Sequence, residues 1–293
     1  MPEGQIIRAL SGFYYVLFDD KLFECKARGI LKQRKQSPLV GDNVYFDIIG
    51  NAKGHITELK PRNNELIRPS ICNIDQVIVV TSAMEPDFST VLLDKFIVHA
   101  EHSRIEPVIC ITKIDILDDL KEINKKIKVY RNIGYKVIKT SKQGHGINEL
   151  KKTLKGKISV LSGQSGVGKS TLLNTLVADL NLETGVISQR LGRGKHTTRE
   201  VQLIDLPFGG KLADTPGFSQ LDFQGITPKE LSSLFLEIDS YADQCRFRGC
   251  LHQNEPNCAV KEAVKDKIIE LERYEHYLTF LKELIDTELN KWR

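Results

Sequence analysis

The sequence contains no uncharged apolar run approaching the ~18 residues that a bilayer-spanning helix requires, which excludes such a span. Its opening residues, MPEGQIIRAL, lack the basic start and apolar stretch of a secretory signal. Cysteine is scarce, six in 293 residues, and without a secretion signal that number excludes a disulfide framework. There is no internal repeat and no long low-complexity tract. With 41% hydrophobic and 27% charged residues, wholesale disorder is also excluded. Neither sign of charge is in large excess: 42 basic against 38 acidic side chains leave a net +4, which permits a polyanionic partner without demanding one. The expectation is a soluble, cytoplasmic protein of two or three domains with no membrane partner.

What is present divides into three textures. Residues 1–70 carry 11 basic and 8 acidic side chains, whereas residues 223–293 carry 10 and 13. A basic front and an acidic tail would fit contact with a polyanion such as RNA led by the first two parts rather than by the tail. The first ~60 residues read as short strands between turn signals: Ile6–Leu10, Phe13–Phe18, Leu22–Ala27, Asn43–Ile48 and His55–Leu59. Such a run suits a small OB-type barrel. The basic loop Lys26, Arg28, Lys32, Arg34 and Lys35 beside Phe13, Tyr14 and Tyr15 would suit RNA; the alternative is that those aromatics are core. Residues 62–69, RNNELIRP, read as a linker.

From Ile74 onward, continuous apolar strands (Asp75–Thr81, Val108–Thr112, Lys136–Thr140, Ile158–Leu161) alternate with helices at Val91–Ala100, Leu120–Ile133 and Lys169–Val177. This is a doubly wound α/β pattern. After Thr227-Pro228 the chain turns helical. Val260, Val264, Ile268, Leu271, Leu278, Leu281 and Ile285 fall at separations that predict one stripe on one long helix. The expected division is a barrel over 1–68, an α/β domain over 69–222 and a helical domain over 223–293.

Residues 163–170 read GQSGVGKS. In this G-x-x-x-x-G-K-S pattern, backbone N–H groups from Gly163, Gln164, Ser165, Gly166, Val167 and Gly168 curl round phosphate oxygens. Lys169 reaches the β/γ-phosphates, Ser170 ligates Mg²⁺, and Thr171 follows at the opening of a helix. Thr112-Lys113-Ile114-Asp115 ends a strand, where an α/β sheet binds ligands. The Asp115 carboxylate can accept two hydrogen bonds from the N1–H and N2–H₂ edge of guanine, which adenine cannot offer. Thr140-Ser141-Lys142 is placed to donate N–H groups to the guanine O6.

These elements resemble the base-recognition motifs of translation-factor-like GTPases, with Thr112 standing where Asn is usual. Asp214-Thr215-Pro216-Gly217 resembles the D-x-x-G element, in which Asp214 and Gly217 serve the Mg²⁺ and the γ-phosphate. Thr197 and Thr198 resemble the switch threonine, and which of the two binds is left open. The base elements precede the phosphate loop, the reverse of the usual order. The chain thus resembles the circularly permuted GTPases of the RsgA family over essentially its whole length.

That resemblance implies a GTPase that binds the small (30S) ribosomal subunit and its rRNA. It would assist late maturation, turn GTP over to GDP with stimulation by the subunit, and act as a monomer. Phe218 stands where many GTPases carry a water-orienting glutamine. His196 is therefore the hypothesised catalytic helper, beside Lys169, Thr197 and Thr198; a solvated or RNA-binding role is the alternative. Arg193, Lys195 and Arg199 flank it.

Cys245, Cys250, His252 and Cys258 form C-x₄-C-x-H-x₅-C, three thiolates and an imidazole that would close a structural Zn²⁺ site. The alternative is a metal-free buried cluster; the resemblance favours one zinc per chain, in addition to Mg²⁺ carried with GTP. Two other functions are weighed. One is an RNA-binding protein holding GTP as a structural or regulatory ligand, separable by whether small subunits accelerate turnover. The other is an ATPase or small-molecule kinase, against which Asp115 argues.

Overall fold

The computed structural model describes residues 1–33, 36–66, 69–177, 201–214, 222–223 and 225–291. Five strands open the chain: β1 (Glu3–Leu10), β2 (Phe13–Phe18), β3 (Lys21–Ala27), β4 (Asn43–Gly50) and β5 (Lys53–Leu59), with α1 (Gly29–Gln33) after β3. They pair in the order β1-β2-β3-β5-β4, and β4 returns to β1, so the barrel closes. Ile6, Val16, Phe23, Cys25, Val44, Phe46 and Ile56 fill its interior. Alternation along each strand sends their neighbours outward. All five expected strands are present, each within three residues of its expected limits.

The expected linker is more ordered than its composition suggests. Arg62 holds the fully buried Asp42 through two hydrogen bonds of 2.7 and 2.8 Å and pairs with Glu65 at 2.6 Å. Short strands β6 (Glu65–Leu66) and β7 (Ile71–Cys72) then pair antiparallel, and the Cys72 N–H donates to Val40 O. A clasp, rather than a free tether, leads out of the barrel.

The central sheet holds β8 (Gln76–Ser82), β9 (Glu106–Thr112), β10 (Lys136–Lys139), β11 (Ile158–Ser162), β12 (Gln202–Asp205) and β13 (Lys211–Asp214). Its order is β10-β9-β8-β11-β13-β12, parallel except for β12. Helices α2 (Thr90–His102), α3 (Lys121–Ile133), α4 (Ile147–Leu154) and α5 (Lys169–Val177) make the connections. The near-unbroken burial of β8 and β9 explains their continuous apolar sequence. The barrel and this sheet are joined: β12 pairs antiparallel with β1 through Gln202 and Arg8.

The C-terminal part contains α6 (Leu236–Ala242), α7 (Ala259–Lys265) and α8 (Leu271–Lys291). The single long helix expected from the apolar stripe is corrected here. Lys267 takes a left-handed φ of 59°. Lys267 N–H donates to Val264 O and Ile268 N–H to Ala263 O, the paired bonds of a Schellman stop. Ile268 and Leu271 are consequently 60% and 56% exposed, while Ile269 turns into the core. That core is built from Phe223, Phe235, Ile238, Val260, Tyr277, Phe280 and Leu281, and it includes Val98 of α2.

Candidate nucleotide site and metal centre

The phosphate loop joins β11 to α5 at the C-terminal end of the parallel strands, where open α/β sheets place their ligands. Gly163 has φ 144°, and a Cβ there would lie 2.1 Å from Val80 O, so only glycine brings the loop this close to β8. Gly166 and Gly168 follow at φ 82° and 96°, turning the chain back into the helix. Among the described residues, none accepts a hydrogen bond from the N–H groups of Gly166, Gly168, Lys169 or Ser170. This leaves a ring of donors at a helix N-terminus, a fit for phosphate. Gln164 and Ser165 are exposed, Val167 is buried as the loop's anchor, and Ser170 and Thr171 are exposed at the start of α5. Lys169 Nζ bonds back to the carbonyls of Gly163 and Gln164, both at 2.7 Å. Burial pulls its pKa below the ordinary lysine value, an environment that an anion would relieve.

Thr112 ends β9 beneath this loop. Its Oγ1 lies 2.5 Å from Val167 O and 3.2 Å from Thr81 O, so the residue standing for asparagine ties the base element to the phosphate loop. Lys113 adopts φ 58° and swings its ammonium onto the carbonyl of Glu85, a partner with no motif to announce it. Ile114 N–H reaches Thr140 O at 3.4 Å, and Lys142 N–H reaches Asp115 Oδ1 at 3.3 Å. Thr140 is buried, and its N–H bonds to Ile111 O. Ser141 is held by His145 through bonds of 3.3 Å in both directions. Thr112–Asp115 and Thr140–Lys142 are thus brought side by side, and the Asp115 side chain is exposed.

Asp214 ends β13, parallel to β11 and paired with Gln202 of β12. Thr197, Thr198, His196, Gly217 and Phe218 lie outside the described residues.

The second constellation lies in the C-terminal part. Cys245 Sγ is 3.5 Å from His252 Nδ1 and 3.8 Å from Cys258 Sγ, and His252 Nδ1 is 3.4 Å from Cys258 Sγ. Together with Cys250 Sγ, all four donor atoms lie within 4.8 Å of one another. A tetrahedral ion with Zn–S bonds of about 2.3 Å requires sulfurs about 3.8 Å apart, so the donor set fits zinc. Burial above all pushes the Cys250 thiol up to about 12 and raises Cys258; a central cation is what would let these sulfurs ionise together. The frame is built around them. Tyr274 and Tyr277 of α8 donate to the carbonyls of His252 and Leu251 at 2.6 and 2.8 Å. The Glu255 carboxylate accepts from the N–H groups of Leu251, Gln253 and Asn254. Cys25, Cys72 and Cys110 are buried far from this group in the sequence and are free thiols.

No motif pointed to the contact between α2 and the C-terminal part. Asp94 is fully buried. It meets Arg273 at 2.5 Å, His276 Nδ1 at 2.5 Å and the Tyr130 hydroxyl at 2.6 Å. Arg273 also binds Glu237 at 2.6 Å and lies over the Phe235 ring at 4.6 Å. Burial alone would lower the arginine's pKa, but the Asp94 and Glu237 charges outweigh it and raise it. Thr90 and Glu272 add a 2.6 Å bond across the same junction.

A phosphate loop on β11, fed by base elements that come earlier in the chain, defines the class: a circularly permuted P-loop GTPase. Family models described as RsgA GTPase and RsgA N-terminal domain match residues 59–224 and 3–56. The chain belongs to the RsgA GTPase family and is a GTP-hydrolysing enzyme. The small ribosomal subunit biogenesis GTPase RsgA of Geobacillus kaustophilus is 52% identical over 287 residues, covering 97% of this chain and 98% of that protein. Its Bacillus subtilis counterpart is 49% identical over 294 residues, covering 98% of each. The crystal structure of YloQ, a circularly permuted GTPase, matches with a TM-score of 0.85 at 44% identity, covering 98% of this chain and 96% of that one. YjeQ from Thermotoga maritima matches at 0.86 and 37% identity, covering 97% and 98%.

Proposed function

We propose that this GTPase acts on the small ribosomal subunit, engaging its rRNA in the GTP form and leaving after hydrolysis. The observation that carries this reading is the likeness, over nearly full length, to proteins named for small-subunit biogenesis. The barrel's surface agrees with it. Lys26 lies over Phe13 at 4.8 Å and Arg8 over Tyr15 at 5.5 Å, pairing cation with aromatic on the outward face of β2. Among the described residues no helix is long and apolar enough to cross a membrane. The reading includes a cytoplasmic monomer divided into a barrel (1–68), a GTPase unit (69–222) and a zinc unit (223–293).

In the proposed site, Gly163–Thr171 cradles the phosphates and Lys169 neutralises developing charge on them. Ser170 and Asp214 would hold Mg²⁺, which supplies charge neutralisation at the β/γ-oxygens when bound. Thr197 or Thr198, with Gly217, closes over the γ-phosphate. Lys113 lies along the base, Asp115 selects guanine, and the 140–142 backbone meets its O6. His196 positions the attacking water when the subunit is bound. Cys245, Cys250, His252 and Cys258 hold one structural zinc.

Purified small subunits should raise GTP turnover by an order of magnitude or more, and His196→Ala should remove most of that gain while leaving nucleotide affinity intact. Turnover indifferent to the subunit would overturn the assignment. Asp115→Asn removes a charge-assisted pair worth ~1.5–3 kcal/mol, so GTP affinity should fall roughly 10- to 100-fold while xanthosine triphosphate binding rises. Isothermal titration with both nucleotides decides it, and an unchanged preference for GTP would remove Asp115 from the base site.

A further inference from the structure

The acidic balance of the C-terminal part argued that RNA contact lies elsewhere, but one loop within it departs from that balance. Between the metal-site residues Cys245 and Cys250 the chain reads Arg246-Phe247-Arg248-Gly249, and all four residues are exposed. Phe247 is 44% exposed. A lone exposed phenylalanine is unremarkable on a protein surface, but this one has particular neighbours. The Arg246 guanidinium lies over its ring at 5.6 Å from the centroid. Although residues 223–293 hold 13 carboxylates, neither Arg246 nor Arg248 pairs with one among the described residues. Arg273 in the same part is fully engaged by Asp94 and Glu237.

The loop is also fixed in place. Arg246 N–H meets Asn257 O, Cys250 N–H returns to Phe247 O, and Gly249 turns the chain at φ 72°. An aromatic ring flanked by two guanidiniums, one over its face and neither held by a described carboxylate, matches the chemistry of unpaired RNA, with a base stacking on the ring's other face and phosphates meeting the arginines.

We propose that Arg246–Gly249 is an RNA-contacting loop that takes one unpaired base of the small subunit's rRNA on Phe247. Arg246 and Arg248 hold the flanking phosphates. The proposal rests on the small-subunit reading above and extends it to a part of the chain whose net charge argued against it.

The test uses the full-length, zinc-loaded protein with a non-hydrolysable GTP analogue, titrated against purified small subunits and against a mixed-sequence single-stranded RNA oligonucleotide. Phe247→Ala should weaken both roughly tenfold, the order of one stacked base, and Phe247→Trp should restore them. Arg246→Ala with Arg248→Ala should weaken binding and lower the salt dependence by about one to two phosphate contacts. Unchanged zinc content establishes that the variants keep the loop's frame.

Wild-type affinity for subunits in all the loop variants would overturn the loop proposal and leave the small-subunit reading standing. Failure of the unmodified protein to bind either subunits or RNA would overturn both. If the variants instead lose binding to an acidic peptide while RNA binding is unchanged, the loop is a protein-docking surface and the RNA proposal is overturned.

Discussion

Cys258→Ser should release the metal and melt the segment from Cys245 to Cys258. Structural zinc in small domains is worth ~10–16 kcal/mol of apparent binding energy at neutral pH, most of it expressed as folding. Here the loss would be smaller than that, because α6, α7 and α8 keep an apolar core of Phe235, Ile238, Val260, Tyr277 and Phe280. The hydrogen bonds from Tyr274 and Tyr277 end on the loop carrying His252, so the loss of its frame loosens the start of α8. Amide exchange should speed up over residues 245–258 first, and metal analysis should fall from one zinc per chain to none. The same effect should follow chelation of the unaltered protein. Retained amide protection in a zinc-free sample would show that the four side chains form a metal-free core.

Arg273→Leu should cost ~3–5 kcal/mol, the usual consequence of stranding a buried charge by removing its partner. Asp94 is left with His276 and Tyr130 but no permanent cation, and Glu237 loses its bidentate partner. Urea unfolding and limited proteolysis should both place the loss at the junction of α2 with α6 and α8. The control is the triple replacement Asp94→Asn, Glu237→Gln and Arg273→Leu, which removes the charges together and should recover much of the difference. A single variant as stable as the unaltered protein would mean that the cluster contributes nothing net. Because Asp94 lies on the first helix after β8, this pair makes the C-terminal part a component of the GTPase unit's own packing.

Local chemistry is what could be read from the sequence. The phosphate loop, the TKID and TSK elements and the cysteine cluster each depend on residue types at fixed short spacings, and the structure brings each group together. The barrel strands were legible for a similar reason, since turn residues and alternation are written within a few positions. The break between α7 and α8 was not. The apolar spacing runs straight through Ile268 and Leu271, and only the backbone bonds around Lys267 reveal the stop.

The Arg62–Asp42 clasp and the Asp94–Arg273 junction were hidden for a different reason. Each joins charged residues far apart in the chain that individually look like ordinary surface positions. The bond from Thr112 to Val167 O was not legible because it depends on where the phosphate loop falls in space, which no reading of the TKID element alone supplies. The segment holding His196, Thr197 and Thr198 lies outside the described residues, so its part in the chemistry stands as proposed.

The pairing of β12 with β1 has a consequence for how these domains can be separated. β12 is the last strand of the GTPase sheet, and a bare strand edge is a row of unpaired N–H and C=O groups able to recruit another chain. Through Arg8 and Gln202 the barrel occupies part of that edge. A protein trimmed of the proposed barrel unit, residues 1–68, would therefore lose more than its proposed RNA-binding surface. It would gain an adhesive border, and its copies would tend to associate along it. By that argument the barrel would serve as a cover for the sheet beside it, and a border of the GTPase unit would be protected by residues from the other end of the chain.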